Sequence, residues 1–143
     1  MRILGLDIGS KRIGVAISDE LGFTAQGLET ISCKSPEEDA AAIFRLTEKY
    51  GAEEIVVGIP FNMNGTEGPQ VEKVRATIQT IKQQVTIPIR EWDERLSTAA
   101  AERVLIEADM SRSKRRKVID KLAAVLILQG YLDRQKVKER PNS

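Results

Sequence analysis

The stretch Arg2 to Asp19, RILGLDIGSKRIGVAISD, constrains this chain more than any other. Ile3, Leu4, Leu6 and Ile8 form a short apolar run, and Ile13, Val15, Ala16 and Ile17 form a second after the link Gly9-Ser10-Lys11-Arg12. Two apolar runs joined by a short, glycine-bearing polar link predict a β-hairpin. Asp7 interrupts the first run. A carboxylate in a buried strand is costly unless it is paired or bound to a metal, so Asp7 needs an explanation that its neighbours do not. It either caps the turn through its own backbone, as aspartates often do, or serves a ligand. The flanking Gly5 and Gly9 leave room for a ligand or another backbone to approach closely.

Size and composition bound what surrounds the hairpin. A chain of 143 residues is long enough for one domain with a real core and too short for two. Hydrophobic residues at 41% and charged residues at 30% exclude a disordered composition, and aromatics at 4% call for an aliphatic core. With a net charge of +1 there is no global basic field, so any signal for nucleic acid must be local. The chain contains no histidine, the commonest general base and metal ligand. Its single cysteine, Cys33, rules out an internal disulfide or a zinc cluster and is expected to be a buried or half-buried small hydrophobe. No charged-then-apolar leader precedes the first strand and no apolar run approaches a membrane span, so the expectation is a cytoplasmic protein without a membrane partner.

Along the chain, Phe23 to Ile31 offers a third strand centred on Leu28 to Ile31. Ser35-Pro36-Glu37-Glu38 is a strong helix start, Ala40, Ile43, Phe44 and Thr47 follow at helical spacing, and Gly51 ends that helix. Glu54 to Gly58 reads as a buried strand. The loop Ile59 to Pro69, IPFNMNGTEGP, is long for a strand-to-helix link, and such loops carry function more often than they fill space. Pro69 opens a helix whose Val71, Val74, Ile78, Ile81 and Val85 share one face. Ile87 to Trp92 is a fifth strand, with Pro88 near its start, and Ser97 caps a helix over roughly Thr98 to Ala108. Met110 to Arg116 reads as a polar break before a last, well-buried helix from about Arg115 to Arg134. Residues 1–135 are thus expected to form the domain and 136–143 a charged C-terminal tail. The order predicts an α/β fold, a mixed five-stranded sheet with helices on both faces.

Two further acidic positions stand out beside Asp7. Asp93 and Glu94 lie where a strand ends, a favoured place for ligand sites in such sheets. Asp120 lies on an otherwise apolar helix. Carboxylates without histidine or cysteine suit hard cations, Mg²⁺ or Mn²⁺, and a pair of them about 3.5 to 4 Å apart can activate water and stabilise the leaving oxygen in phosphodiester hydrolysis. The plainer alternatives are a helix-dipole role for Asp120 and a surface pair of Glu94 with Arg95 or Arg90. Ser111 to Lys117, SRSKRRK, carries five basic residues in seven. Such a run is either a solvated face or a phosphate-holding surface next to Asp120, to which Lys11 and Arg12 could add.

A hairpin of the form D-x-G-x-x-x-x-G, here Asp7 to Gly14, is similar to those of two large groups. One is the metal-dependent RNase H-like nucleases; the other is the sugar kinases and actin-like ATPases, whose nucleotide lies between two lobes that a chain of 143 residues is too short to build. Four motifs decide between them: Asp7-Ile8-Gly9-Ser10-Lys11-Arg12-Ile13-Gly14-Val15-Ala16, Gly58-Ile59-Pro60 with Asn62-Met63-Asn64-Gly65-Thr66-Glu67, Asp93-Glu94-Arg95-Leu96-Ser97, and Asp120 to Leu128. In this order, over Met1 to Asp133, they resemble the YqgF family of bacterial RNase H-like proteins, described as Holliday junction resolvases and as nucleases maturing the 5′ end of pre-16S ribosomal RNA. The resemblance implies an RNase H-like fold and a metal-dependent endonuclease, with Asp7, Glu94 and Asp120 as catalytic, metal-binding acids and the Asn62 to Glu67 loop bordering the site. RNase H-like proteins commonly carry an acid at the end of the fourth strand, where this chain has Gly58-Ile59-Pro60; the second carboxylate must then come from the fifth strand, as Asp93 or Glu94.

The resemblance implies structured nucleic acid as the substrate, precursor ribosomal RNA ahead of a branched DNA junction, and the chain carries no base-reading motif or aromatic platform that chooses between them. Lys11, Arg12, Asn62, Asn64, Arg95, Arg112, Lys114, Arg115, Arg116 and Lys117 are the residues expected to hold it. The rival from another class is a non-catalytic module that binds nucleic acid or a regulator. Trimming one RNA end needs one site, so a monomer or weak homodimer is expected.

Overall fold

In the computed structural model, residues 1–96 and the helix 112–139 are described, with side chains of that helix described over 121–136. β1 (Arg2–Ile8) and β2 (Arg12–Ser18) form the expected hairpin, in which Asp7 stands opposite Gly14. β3 (Ala25–Ser32) extends the meander and is longer than the segment Leu28 to Ile31 on which the sequence centres it. The reason is local: Asp19 Oδ1 accepts the amides of Phe23 and Thr24 at 2.7 and 3.1 Å, turning the chain tightly enough for pairing to begin at Ser18 and Ala25.

α1 (Pro36–Tyr50) starts where the sequence places it. Ser35 Oγ accepts the Glu38 amide at 3.1 Å, a cap worth about 1 kcal/mol. Gly51 ends the helix in the left-handed region at φ 64°, with its amide on the Thr47 carbonyl. Leu46 is buried alongside Ala40, Ile43 and Thr47, whereas Phe44, on the edge of that stripe, stays largely exposed. β4 (Ala52–Ile59) then runs parallel to β1, and α2 (Pro69–Lys82) leads to β5 (Ile89–Asp93), parallel to β4. β5 begins two residues later than the expected Ile87, because Pro88 has no amide to donate; its carbonyl alone joins the sheet, accepting the Ile55 amide at 2.9 Å.

The strand order is β3-β2-β1-β4-β5, a mixed five-stranded sheet. One face carries Leu4, Leu6, Ile8, Val15, Ile55 and Val57 against α1 and α2, with half-buried Cys33 packed at the margin. The other face carries Ile3, Ala16, Val56 and Trp92 against Ala124, Ile127, Leu128 and Leu132 of α3 (Arg112–Glu139). Helices therefore cover both faces, as the sequence predicts. No helix among the described residues is long and apolar enough to cross a membrane.

α3 departs from expectation at both ends. It starts at Arg112, inside the predicted polar break, and continues past Arg134 to Glu139. Arginine and lysine are good helix formers, and neither segment contains glycine or proline, so polarity alone does not interrupt the helix. Its far half is also anchored. Gln129 accepts the Ala25 amide at 2.9 Å and donates to the Phe23 carbonyl at 3.0 Å, and Lys136 Nζ reaches that same carbonyl at 2.8 Å. Tyr131 donates its hydroxyl to the buried Glu54 carboxylate, which also has Arg90 Nε at 3.6 Å. Burial, reinforced by Glu54, pushes the Tyr131 hydroxyl up to about 12, so it stays a donor at neutral pH. The helix expected over Thr98 to Ala108, with its Ser97 cap, lies outside the described residues.

α3 comes unusually close to β1. A Cβ on Gly5 would stand 2.7 Å from Leu128 Cβ and 3.3 Å from the Ala124 carbonyl oxygen, part of the helix backbone. Gly5→Ala should therefore cost about 1–3 kcal/mol, the usual range for overpacking a core. It should lower the urea midpoint without changing the denaturant slope; an unaltered midpoint would show that α3 can lift off the sheet at no expense.

Candidate active site at the carboxyl ends of the central strands

β1, β4 and β5 are mutually parallel, so their carboxyl ends share one edge of the sheet, where ligand sites form in such folds. Asp7 lies on β1 one residue before that end. Side chains alternate along a strand, and Ile3 and Gly5 face α3, so Asp7 faces α3 as well. It is 9% exposed. Its lateral neighbours lack side chains: Gly14 pairs with it on β2, and Gly58 lies one residue beyond the Leu6–Val57 pair on β4.

Gly58 is also where β5 reaches back over the sheet. A Cβ there would collide with Ile127 Cδ1 and stand 3.0 Å from Glu94 Cγ, so the Glu94 side chain leans over the end of β4. One of its carboxylate oxygens, Oε1, is buried. Asp93 and Glu94 part company here. Asp93 ends β5 facing away from the α3 side, since the preceding Trp92 is buried under α3. Its carboxylate takes Arg95 through Nη2 at 2.7 Å, Nε at 3.1 Å and the backbone amide at 2.9 Å. The Arg95 side-chain hydrogen bonds hold the Asp93 carboxyl below the usual carboxylate range in spite of its partial burial. Asp93 is thus tied into an ion pair, while Glu94, opening the 3₁₀ turn Glu94–Leu96, shares the face that carries Asp7.

Asp120 belongs to α3, and its side chain lies outside those described. The backbone fixes its level. Leu132, Leu128 and Ala124 climb the helix one turn at a time, from the level of Ile3 to that of Gly5, and one further turn arrives at Asp120. The N-terminal end of α3 consequently points toward the edge that carries Asp7. Arg112, Lys114, Arg115, Arg116 and Lys117 make up the first two turns of this end, where the helix dipole is itself positive. Exposed Lys11, in the turn that leaves β1, and half-buried Arg12, which opens β2, sit at the same edge.

The Asn62 to Glu67 loop meets Arg95, the residue after Glu94, and its Asn62, Asn64 and Thr66 side chains are engaged with one another. Asn62 Nδ2 donates to Thr66 Oγ1 at 2.9 Å, and Asn64 Oδ1 accepts the Thr66 amide and hydroxyl at 3.1 and 2.6 Å. Arg95 extends from Asp93 to the Met63 carbonyl at 3.5 Å and lies 5.6 Å from the Phe61 ring centre. Arg75 of α2 is a participant that the sequence does not reveal, since its partners Glu67 and Glu91 lie 8 and 16 residues away. Hydrogen bonds to Glu91 and then Glu67 raise its pKa further, keeping it charged.

A cation could be held here by Asp7 and Glu94. Their hard oxygen donors, the glycine on either side of Asp7 and the absence of histidine from the chain fit Mg²⁺ or Mn²⁺ and do not fit softer metals.

Known proteins resemble this chain in sequence and in fold. The family model described as "RuvX: Holliday junction resolvase" matches residues 1–134. Relatives carrying the name "Putative pre-16S rRNA nuclease" include that of Desulforamulus reducens, 59% identical over 133 residues, covering 93% of this chain and 97% of the relative. Another, from Halothermothrix orenii, is 60% identical over 135 residues, covering 94% and 96%. Among solved structures, Thermus thermophilus RuvC in complex with Holliday junction substrate has a TM-score of 0.58 at 16% identity, covering 94% of this chain and 96% of that one. The Fowlpox virus resolvase with Holliday junction DNA also gives 0.58, at 14% identity over 94% and 99%. These two likenesses establish the fold, RNase H-like as the motifs imply. Matched by the family model over residues 1–134 and nearly 60% identical to relatives along almost their whole length, the chain belongs to the RuvX (YqgF) family of nucleases.

Proposed function

We propose that this chain is a divalent-metal-dependent endonuclease that matures the 5′ end of pre-16S ribosomal RNA in the cytoplasm, with Asp7, Glu94 and Asp120 as its metal-binding acids. The observation that carries this is the juxtaposition of Asp7, flanked by Gly14 and Gly58, with a Glu94 side chain that leans over Gly58. The names of the close relatives favour ribosomal RNA as the substrate.

Mg²⁺ or Mn²⁺, when bound, would supply an activated water and stabilise the leaving oxygen. The chain's own residues do the rest. Ile127 packs behind Gly58 and gives the carboxylates a dry floor, strengthening their pull on a cation. The basic first turns of α3, with its dipole, hold the substrate's phosphates, and Lys11 and Arg12 extend that surface.

Purified protein should cut a 5′-extended ribosomal RNA precursor with Mg²⁺ or Mn²⁺ and not in EDTA. Cleavage of neither that RNA nor a four-way DNA junction under any metal would leave a binding module. The family description favours a second reading, Holliday junction resolution. Cutting two strands of a junction needs two symmetry-related sites, hence a dimer. Light scattering at micromolar concentration should show a monomer if RNA trimming is the activity, and a stable dimer with junction cleavage would reverse the order of the two readings.

Asp7→Asn tests the metal site. Converging carboxylates repel one another without metal, so the variant should be as stable as wild type or slightly more so. Mn²⁺ at about 100 times Kd should add roughly 2.7 kcal/mol to wild type and much less to the variant. Cleavage should vanish while binding to nucleic acid in EDTA persists. Equal Mn²⁺-induced shifts in Tm would remove Asp7 from the ligand set.

Salt dependence tests the basic helix start. Replacing Arg115, Arg116 and Lys117 by Ala should flatten the log–log dependence of binding on salt by up to about 3 units on duplex DNA, or about 2 on single strands. An unchanged slope and affinity would make the run a solvated helix end.

A further inference from the structure

The loop between β4 and α2 is held by more than a connector needs. Arg75 binds two carboxylates from different elements, Glu67 of the loop and Glu91 of β5, the latter from Nη2 at 3.2 Å. Arg95, fixed by Asp93, reaches the Met63 carbonyl from the opposite end of the loop's sequence. Both guanidinium groups stand over the Phe61 ring, 5.8 and 5.6 Å from its centre, a favourable placement of cation on π face. Between these anchors the loop closes on itself. The Asn62 amide meets the Thr66 carbonyl at 3.0 Å, the Gly65 amide meets the Asn62 carbonyl at 2.8 Å, and Gly65 turns at φ 86°.

We propose that Arg75 is a positioning residue of the nuclease: with Arg95 it clamps Phe61 and Glu67 against β5, so that the loop is shaped before substrate arrives and a structured nucleic acid must fit its outer surface. The proposal rests on the placement of the active site beside Glu94. Arg95 links the two directly, because it follows Glu94 in the chain and carries the loop at its far end. Met63 is 89% exposed at the tip, beside exposed asparagine side chains whose hydrogen bonds to Thr66 keep the tip in shape. An apolar tip on a fixed frame meets the bases or sugars of a substrate, whose phosphates are drawn to the basic end of α3. Selection by shape follows, because a preformed loop is not paid back by substrates that cannot reach it. Arginine is required at position 75 because its planar fork can serve two carboxylates and a ring together, which a lysine ammonium cannot.

Three variants approach the clamp from different sides. Arg75→Ala removes it, and Arg75→Lys keeps the charge without the fork. Gly65→Ala leaves every charge in place but needs a positive φ and brings a Cβ within 3.2 Å of Arg95 Nη1. All three should raise KM for a structured RNA precursor by about tenfold with kcat little changed, as expected when a positioning contact rather than the chemistry is lost. KM for an unstructured single strand should move less. Amides 62–66 should exchange hydrogen faster than in wild type, while the Mn²⁺-induced shift in Tm stays the same. Wild-type KM and exchange in Arg75→Ala, or full rescue by Arg75→Lys, would overturn the proposal. If wild type cuts no substrate, the reading of the activity fails separately: amide exchange and the Mn²⁺ shift need no turnover, and an unaltered exchange pattern in the variants would still sink the clamp.

Discussion

The seating of α3 on a glycine-lined face of the sheet is the contact on which the rest of this molecule depends. With Gly5 and Gly58 beneath it, the helix lies nearer the strands than side chains would allow, and Leu128 and Ile127 fill the space that two Cβ atoms would have taken. Close packing of this kind resists sliding as well as separation, since interiors packed at crystal density tolerate little change in volume. The level of each helical turn over β1 is therefore fixed, from Leu132 at Ile3 to the turn that carries Asp120. Tyr131 on Glu54 and Gln129 on β3 hold the far half of the helix in the same register.

The same glycines decide which acids face one another. At the end of β4, where the RNase H-like resemblance leads one to expect an acid, this chain has Gly58-Ile59-Pro60. The missing side chain of Gly58 is not a gap, because Ile127 and Glu94 share the space. An acid from the 3₁₀ turn after β5 thus leans over the end of β4. Asp93, one residue earlier, falls on the other face by strand alternation and goes to Arg95. Adjacent acids in the chain have separate surroundings because a strand reverses its side chains at every residue.

Much of this was legible in the chain itself. The hairpin, the Ser35 cap, Gly51, the α2 stripe from Val71 to Ile81 and the order of the described elements all rest on patterns within a few residues, and the structure keeps them; Val85, expected on that stripe, is buried just past the end of the helix. The misplaced helix start has a local cause. Met110 to Arg116 looks like a break because it is polar, yet helix formation depends on backbone propensity, and arginine and lysine satisfy it from Arg112 onward. The partners of Asn62, Asn64 and Arg95 within the loop or on Asp93 are seen only in the structure. The partners of Arg75 are too far along the chain for any local pattern to join them.

By itself, then, the sequence determined the class of fold, the family and the candidate acids, because apolar periodicity, caps and motif order are local properties that survive without coordinates. Only the tertiary structure decided that Glu94 rather than Asp93 shares a face with Asp7, that the space over Gly58 is filled by neighbours, and that the loop's polar groups find partners within the protein. Each of these depends on which side chains meet across strands and helices distant in the chain. That is set by packing two helical layers onto one twisted sheet, where a difference of one residue in register exchanges the buried face for the other.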